Sequence, residues 1–403
     1  VTDNAVQKPI LLRAFYSALL IVGSIFLALV FMEGILRFFP GLLPVELQQL
    51  IKADPNNYGV VHSYLGHLHK PNNAIVISGR DFRAVHHTDG HGFRNAWPWP
   101  ERVEIVAVGD SLTFGHGVED DQAWPALLAK KLPQGSLINL GLSGGGPQQY
   151  LRLYETFGRR LHPKVLLVGF FVRNDFWDAD MFDRWLKSGA GGNYLVWRDF
   201  GRPKSVSLSL QQPIGKLIRS LQWRGQLIAR KSHLYNLLLY VRGDIKEWIP
   251  PGMKIFQARD GTRLELAAGD LLTKTKEAHP GHRVFQIAVE ALQRLHALAK
   301  ADGANVLIVL QPSKEEVYLP LLGEPAPDPG SPLRAALGEL GIPYLDLLED
   351  FRHRAATGEI LFFEADGHPN ARGYALIAEL VLSHLKGNAK RYGLNGSYPE
   401  LSR

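Results

Sequence analysis

Four short stretches carry side chains suited to ester chemistry, and they lie far apart along the chain. Gly109-Asp110-Ser111-Leu112 sets a serine at the end of an apolar run. Gly141-Leu142-Ser143-Gly144-Gly145-Gly146 holds a second serine among glycines. Val172-Arg173-Asn174-Asp175 offers a side-chain amide, and Asp366-Gly367-His368-Pro369-Asn370 offers an imidazole with a nearby carboxylate. Cleaving an ester takes a nucleophile, a base for its proton, and donors for the charge that develops on the carbonyl oxygen. Ser111 suits the nucleophile, with its own backbone N–H as one donor, and His368 suits the base. A glycine N–H such as that of Gly144 can approach a ligand closely because no Cβ intervenes, and Asn174 can add an amide. The glycine stretch lacks both the Lys-Ser/Thr ending and the spacing of a phosphate or dinucleotide loop.

Ser143 is the competing nucleophile. Its surroundings fit the Gly-x-Ser-x-Gly elbow of the α/β-hydrolases, and Asp366 and His368 follow in the order that fold uses. That fold sets several strands before its elbow, whereas only one candidate strand of the α/β part precedes Ser143. The elbow reading also leaves Ser111 and Asn174 without roles, so Ser111 is preferred and Ser143 stands as the alternative.

The chemistry works only if all four stretches reach one place. From Arg102 onward, apolar β-branched runs alternate with helical patterns, the mark of a parallel sheet. Strands are expected at Val103–Val108, Ser136–Leu140, Val165–Phe171, Asn305–Leu310 and Pro343–Leu347. Helices are expected at Asp120–Leu132, Gln148–Leu161, Arg283–Ala301, Leu333–Leu340 and Ala371–Leu385, the last with Asn370 as N-cap. Three of the four stretches then follow strands, at the carboxyl edge where open α/β sheets place ligands, and the fourth immediately precedes the closing helix.

Taken together, Gly109–Leu112, Asn139–Gly144, Asn174-Asp175 and Asp366–His368 resemble the four blocks of the SGNH (GDSL) hydrolase family. The resemblance covers about residues 102–176 and 283–386. It implies a three-layer α/β sandwich around a five-stranded parallel sheet, of flavodoxin-like type. It further implies Ser111 as nucleophile, His368 as base, Asp366 as the residue orienting it, and an oxyanion hole from the N–H groups of Ser111 and Gly144 with the Asn174 side chain. One position departs from the pattern: the family's acid stands three residues before the histidine, where this chain has Ala365, and Asp366 stands two before.

The rest of the chain sets the context. The 403 residues are 46% hydrophobic, carry a formal charge of +6 and contain no cysteine, which excludes disulfides and thiolate metal sites. Ala14 to Met32 is an uninterrupted apolar run, close to the ~20 residues a bilayer core requires. It reads as an uncleaved transmembrane anchor, and Lys8 and Arg13 favour a cytoplasmic tail over residues 1–13. Residues 33–101 read as a membrane-proximal segment with a little β structure. Its two histidine groups, His62, His67, His69 and His86, His87, His91, lack a zinc-site pattern and read as core or solvated residues. Residues 102–403 form the hydrolase-like domain, interrupted by a helical insertion over 176–281. The insertion holds Trp177, Trp185, Trp197, Trp223 and Trp248, and Phe200 to Gly243 has basic residues but no acidic one. That stretch is either a solvated face or a surface for anionic headgroups or an acidic glycan.

The expected activity is an extracytoplasmic serine esterase acting on acyl groups, O-acetyl above all, of envelope or exported polysaccharide. It requires no cofactor and no metal, and nucleic acid is not expected as a partner. Acyl transfer to a glycan, fed by an acyl-donating membrane partner, is the near alternative. A non-catalytic polysaccharide-binding module and a phospholipase are the others.

Overall fold

A computed structural model describes residues 4–43, 59–200, 232–242 and 253–394. Five strands form one sheet: β1 (Ile105–Gly109), β2 (Leu137–Gly141), β3 (Val165–Phe171), β4 (Asn305–Gln311) and β5 (Tyr344–Asp346). Their order is β5-β4-β3-β1-β2, and every pairing is parallel. All five expected strands are present, Val165–Phe171 with the expected bounds and the other four within one or two residues of theirs.

Strand periodicity sorts the side chains into two cores. Ile105 and Ala107, Val165 and Leu167, and Leu307 and Val309 face one side, with the helices Trp124–Ala129, Leu348–Ala356 and Ala371–Gly387. Val106 and Val108, Leu166 and Val168, and Val306 and Ile308 face the other, with Pro147–Leu153, Arg283–Ala301 and Ser331–Glu339. Two apolar faces on one sheet require helices on both sides, which makes the three-layer sandwich. In Arg283–Ala301, Val284, Phe285, Ala288, Ala291, Leu292, Leu295 and Ala299 are buried, a stripe of helical period. Each buried leucine there contributes about 1.5–3 kcal/mol.

Two expected helices are shorter than their patterns. Asp120–Leu132 divides into a 3-10 turn, Asp120–Gln122, and a helix from Trp124 to Ala129. Pro125 has no N–H to bond backward and so sits in the first turn of the second piece. Gln148–Leu161 is helical only over Pro147–Leu153, then widens into a π turn at Tyr154–Gly158 and a 3-10 turn at Arg159–Leu161.

The insertion is not wholly helical. It contains Asp175–Lys187, Tyr194–Phe200 and His233–Arg242, but also an antiparallel hairpin, Met253–Gln257 with Arg263–Ala267, before the helix Ala268–Glu277. Most of its basic stretch, with Trp223 and Trp248, lies outside the described residues.

The chain divides into two compact units, residues 55–202 with 249–403 and residues 1–54 with 203–248. Residues 55–101 belong to the larger unit, and the middle of the insertion belongs with the N-terminal helix. That helix, Asn4–Phe38, has an apolar part, Phe15–Phe38, long enough to cross a membrane.

Candidate active site

β1 ends at Gly109, and Asp110 caps the four-residue helix Ser111–Phe114 by accepting from Leu112 N at 2.9 Å. Ser111 stands in the first turn, where backbone N–H groups have no intrahelical partner and point outward. The short helix lies directly on β2: a Cβ at Gly141 would come within 2.2 Å of Phe114 N. Buried Arg94 holds its other end, donating to the carbonyls of Phe114, Gly115 and Val118 and to Asp120.

Ser111 Oγ lies 2.8 Å from His368 Nε2, and His368 Nδ1 lies 2.5 Å from Asp366 Oδ1. An ionised carboxylate can only accept, so Nδ1 carries the proton and Nε2 is free to take one from the serine. The two-residue spacing suffices because Asp366 folds back, its Oδ1 also accepting from the backbone N–H of His368 at 2.8 Å. Burial disfavours charge on both groups, but their mutual attraction outweighs it: the Asp366 carboxyl is held well below the usual carboxylate range and the His368 imidazole is raised.

The loop carrying this pair is fastened by a residue the sequence reading passed over. Lys314 is 1% exposed, and its three ammonium hydrogens meet the carbonyls of Phe363, Glu364 and Asp366 at 3.2, 3.0 and 3.0 Å. Asn370 closes the loop behind, donating to Ile360 and Phe362 carbonyls while capping Ala371–Gly387 through Arg372 N and Gly373 N. His116 is a second omission; its ring packs on that of His368, centroids 4.4 Å apart. A lysine opening a short helix and a histidine between glycines carry no pattern that would mark them.

The glycine-rich loop follows β2 and is tied to β1 by Leu142 N donating to Gly109 O. Gly144 has φ of +73°, and a Cβ there would meet Leu195 and Arg198 at 2.7 and 2.8 Å, so only glycine fits. Its carbonyl accepts from Arg198 Nη1 at 3.1 Å, and among the described residues its N–H donates to no neighbour. Ser143 is held by its backbone: His67 Nε2 donates to its carbonyl at 2.9 Å, and its N–H donates to His69 Nε2 at 3.3 Å. Both histidines are buried and pushed down to about 3 chiefly by that burial, so both are neutral. The imidazole paired with a carboxylate contacts Ser111, not Ser143, and the elbow reading is set aside.

Asn174 is engaged with two carboxylates. Its Nδ2 donates to Asp110 Oδ2 at 3.2 Å and to Asp178 Oδ2 at 3.0 Å, which occupies both amide hydrogens. Turning the amide over would set its oxygen against two carboxylates, so the orientation is determined by charge. In this structure Asn174 bridges carboxylates behind the serine and has no hydrogen left for an oxyanion. Asp175 lies beside them, fully buried and bonded by Tyr150 Oη; burial and the neighbouring carboxylates push its pKa well up.

The histidines before the sheet also find places. Besides His67 and His69, His86 is buried against Phe114 and His116, His87 pairs with Asp120, and His91 packs between Trp97 and Trp99. Among the described residues, the donor atoms of His116, Asp366 and His368 come within 4.8 Å of one another, as a metal would require. Both nitrogens of His368 are already engaged, by Asp366 and Ser111, an arrangement suited to moving a proton.

No family model matches the sequence, and no curated protein does. Solved structures do show a likeness. A member of the lipolytic G-D-S-L family from Veillonella parvula is 15% identical with a TM-score of 0.36, covering 70% of this chain and 98% of that one. An acetyl-xylooligosaccharide esterase mutant from Geobacillus stearmophilus is 12% identical with a TM-score of 0.36, over 71% and 94%. A two-domain esterase active on acetylated mannans is 12% identical with a TM-score of 0.37, over 75% of this chain and 53% of that one.

Proposed function

We propose that this chain is a membrane-anchored serine esterase of SGNH type that removes acyl groups, O-acetyl foremost, from envelope or exported polysaccharide. The observation that carries the reading is the unbroken chain from Ser111 Oγ through His368 to Asp366, at 2.8 and 2.5 Å. His368 Nε2 takes the serine proton as Oγ attacks the acyl carbon. The N–H groups of Ser111 and Gly144 receive the oxyanion, while Asp366 balances the imidazolium. The C–O bond of the ester then breaks, and His368 returns the proton to the departing sugar oxygen. Water, deprotonated by the same nitrogen, attacks the acyl-enzyme, and the acid leaves with Ser111 restored. Asn174 joins the oxyanion hole only if its amide releases Asp110 or Asp178.

The apolar helix at Phe15–Phe38 supports the anchor, and Lys8 with Arg13 supports an extracytoplasmic site. The test uses full-length protein in detergent with p-nitrophenyl acetate and acetylated oligosaccharides. Release of p-nitrophenol and acetate, abolished in Ser111→Ala and retained in Ser143→Ala, is the expected result. No turnover together with no labelling of Ser111 by a fluorophosphonate would overturn the enzyme reading.

A further inference from the structure

Within the smaller unit, the N-terminal helix and the middle of the insertion are joined through one carboxylate. Glu33 Oε2 accepts from Ser232 Oγ at 2.7 Å and from Leu234 N at 2.8 Å. Glu33 Oε1 accepts from His233 N at 3.0 Å and from Arg37 Nε at 2.7 Å. The first N–H groups of the helix His233–Arg242 are orphans by geometry, and here their acceptor comes from a residue 200 positions away. Beside this contact, Leu36 and Leu43 are buried with Leu234 and Leu237 packed against them.

The level of that contact follows from the span. Phe15–Phe38 rises about 36 Å, slightly more than the ~30 Å hydrocarbon core. Glu33 lies five residues before its end, near the depth where acyl chains give way to headgroups. A carboxylate there is costly unless paired, and Glu33 is paired fourfold. The helix it caps is ten residues long. It rises about 15 Å, half of what crossing demands. About 100° around from Leu234 and Leu237, Tyr235 and Leu238 are 38% and 55% exposed. The N-terminal helix also leaves Phe31 and Phe38 exposed, and Phe39 and Leu42 just beyond its end are exposed too, an apolar surface at the same end of the span.

We propose that residues 232–242 are a second membrane element, lying in the interface of the bilayer that the N-terminal helix crosses, with Tyr235 and Leu238 in the headgroup–acyl boundary. The proposal rests on the anchor reading of that helix. Its partner is anionic lipid: the stretch from Phe200 to Gly243 is basic and free of acidic residues, the composition of interfacial segments on such membranes. Glu33 is then a docking residue that pins the interfacial helix to the span.

The chain has no cysteine, so single cysteines can be introduced and spin-labelled without background. Full-length Leu27→Cys, Leu238→Cys and Glu290→Cys proteins are reconstituted in vesicles of phosphatidylcholine and phosphatidylglycerol. Collision with oxygen, concentrated in lipid, is compared with collision with an aqueous nickel chelate. Labels at 27 and 238 should favour oxygen several-fold over the label at 290, and Glu33→Ala should cut that preference at 238 while leaving 27 unchanged. A label at 238 as nickel-accessible as that at 290, with 27 still in lipid, would overturn the inference and leave the anchor standing. Shielding of 238 from both probes would overturn it in favour of a protein partner. Nickel access at 27 would overturn the anchor itself.

Discussion

The turns after β1 and β2 look alike in sequence and differ in chemistry. Each leaves a serine at the carboxyl edge of the sheet, and each has histidine for company. At Ser111 the imidazole meets the side-chain oxygen and is backed by Asp366, which raises its proton affinity. At Ser143 two imidazoles grip the backbone instead, and burial holds them neutral. The same residue pair, serine and histidine, thus builds a hydrogen-bonded chain suited to a proton relay in one turn and a structural clasp in the next. The carboxylate behind the ring makes the difference.

The sharpest way to break this contrast is to remove the relay. Ser111→Ala or His368→Ala should lower kcat by about 10³- to 10⁶-fold, measured by acetate release, with the melting temperature little changed. Ser143→Ala stays within about twofold, because only its backbone is held; an equal loss in the two serine variants would erase the distinction.

Asp366→Asn tests the carboxylate itself, with an expected loss of about 10²- to 10⁴-fold. The base must be neutral to act, so a raised His368 pKa moves the acid limb of kcat/KM upward from the ordinary histidine value, with activity rising as pH rises through it. Removing the Asp366 charge should move that limb to lower pH. A limb that stays put would mean that Asp366 does not set the titration.

Lys314→Met should lower kcat by roughly 10- to 100-fold with KM nearly unchanged, because the loop loses its clasp and His368 drifts from Ser111. An equal rise in KM would assign Lys314 to substrate binding instead. Asn174→Ala should cost about 10-fold or less, as its amide serves Asp110 and Asp178 here; a loss of 10²–10³ would place it in the oxyanion hole. The smallest effect is expected at His69→Ala, which frees the Ser143 N–H: the melting temperature should fall for a loss of about 1–3 kcal/mol, with Ser111 still labelled by fluorophosphonate.

The sheet was legible because buried parallel strands are short apolar runs bounded by turn residues, as Val165–Phe171 is between Pro163-Lys164 and Arg173-Asn174. The closing helix was legible through Asn370, whose side chain does what an N-cap does. Helix ends near Pro125 and Tyr154 were not, since local geometry there answers to packing as much as to propensity. Lys314 was hidden because its three acceptors are carbonyls about 50 residues further on, and a backbone carbonyl has no letter in a sequence.

Residue types and their order along the chain determined the layers, the strands and the serine, histidine and aspartate that meet at the sheet edge. Periodicity and strand-end chemistry are local, so they survive in a one-dimensional reading. Only the tertiary structure decided which serine the imidazole faces, that Asp366 reaches across a two-residue spacing, and that Asn174 is held by two carboxylates. Those outcomes depend on distances and on burial, through which the same side chain gains or loses a proton according to what surrounds it.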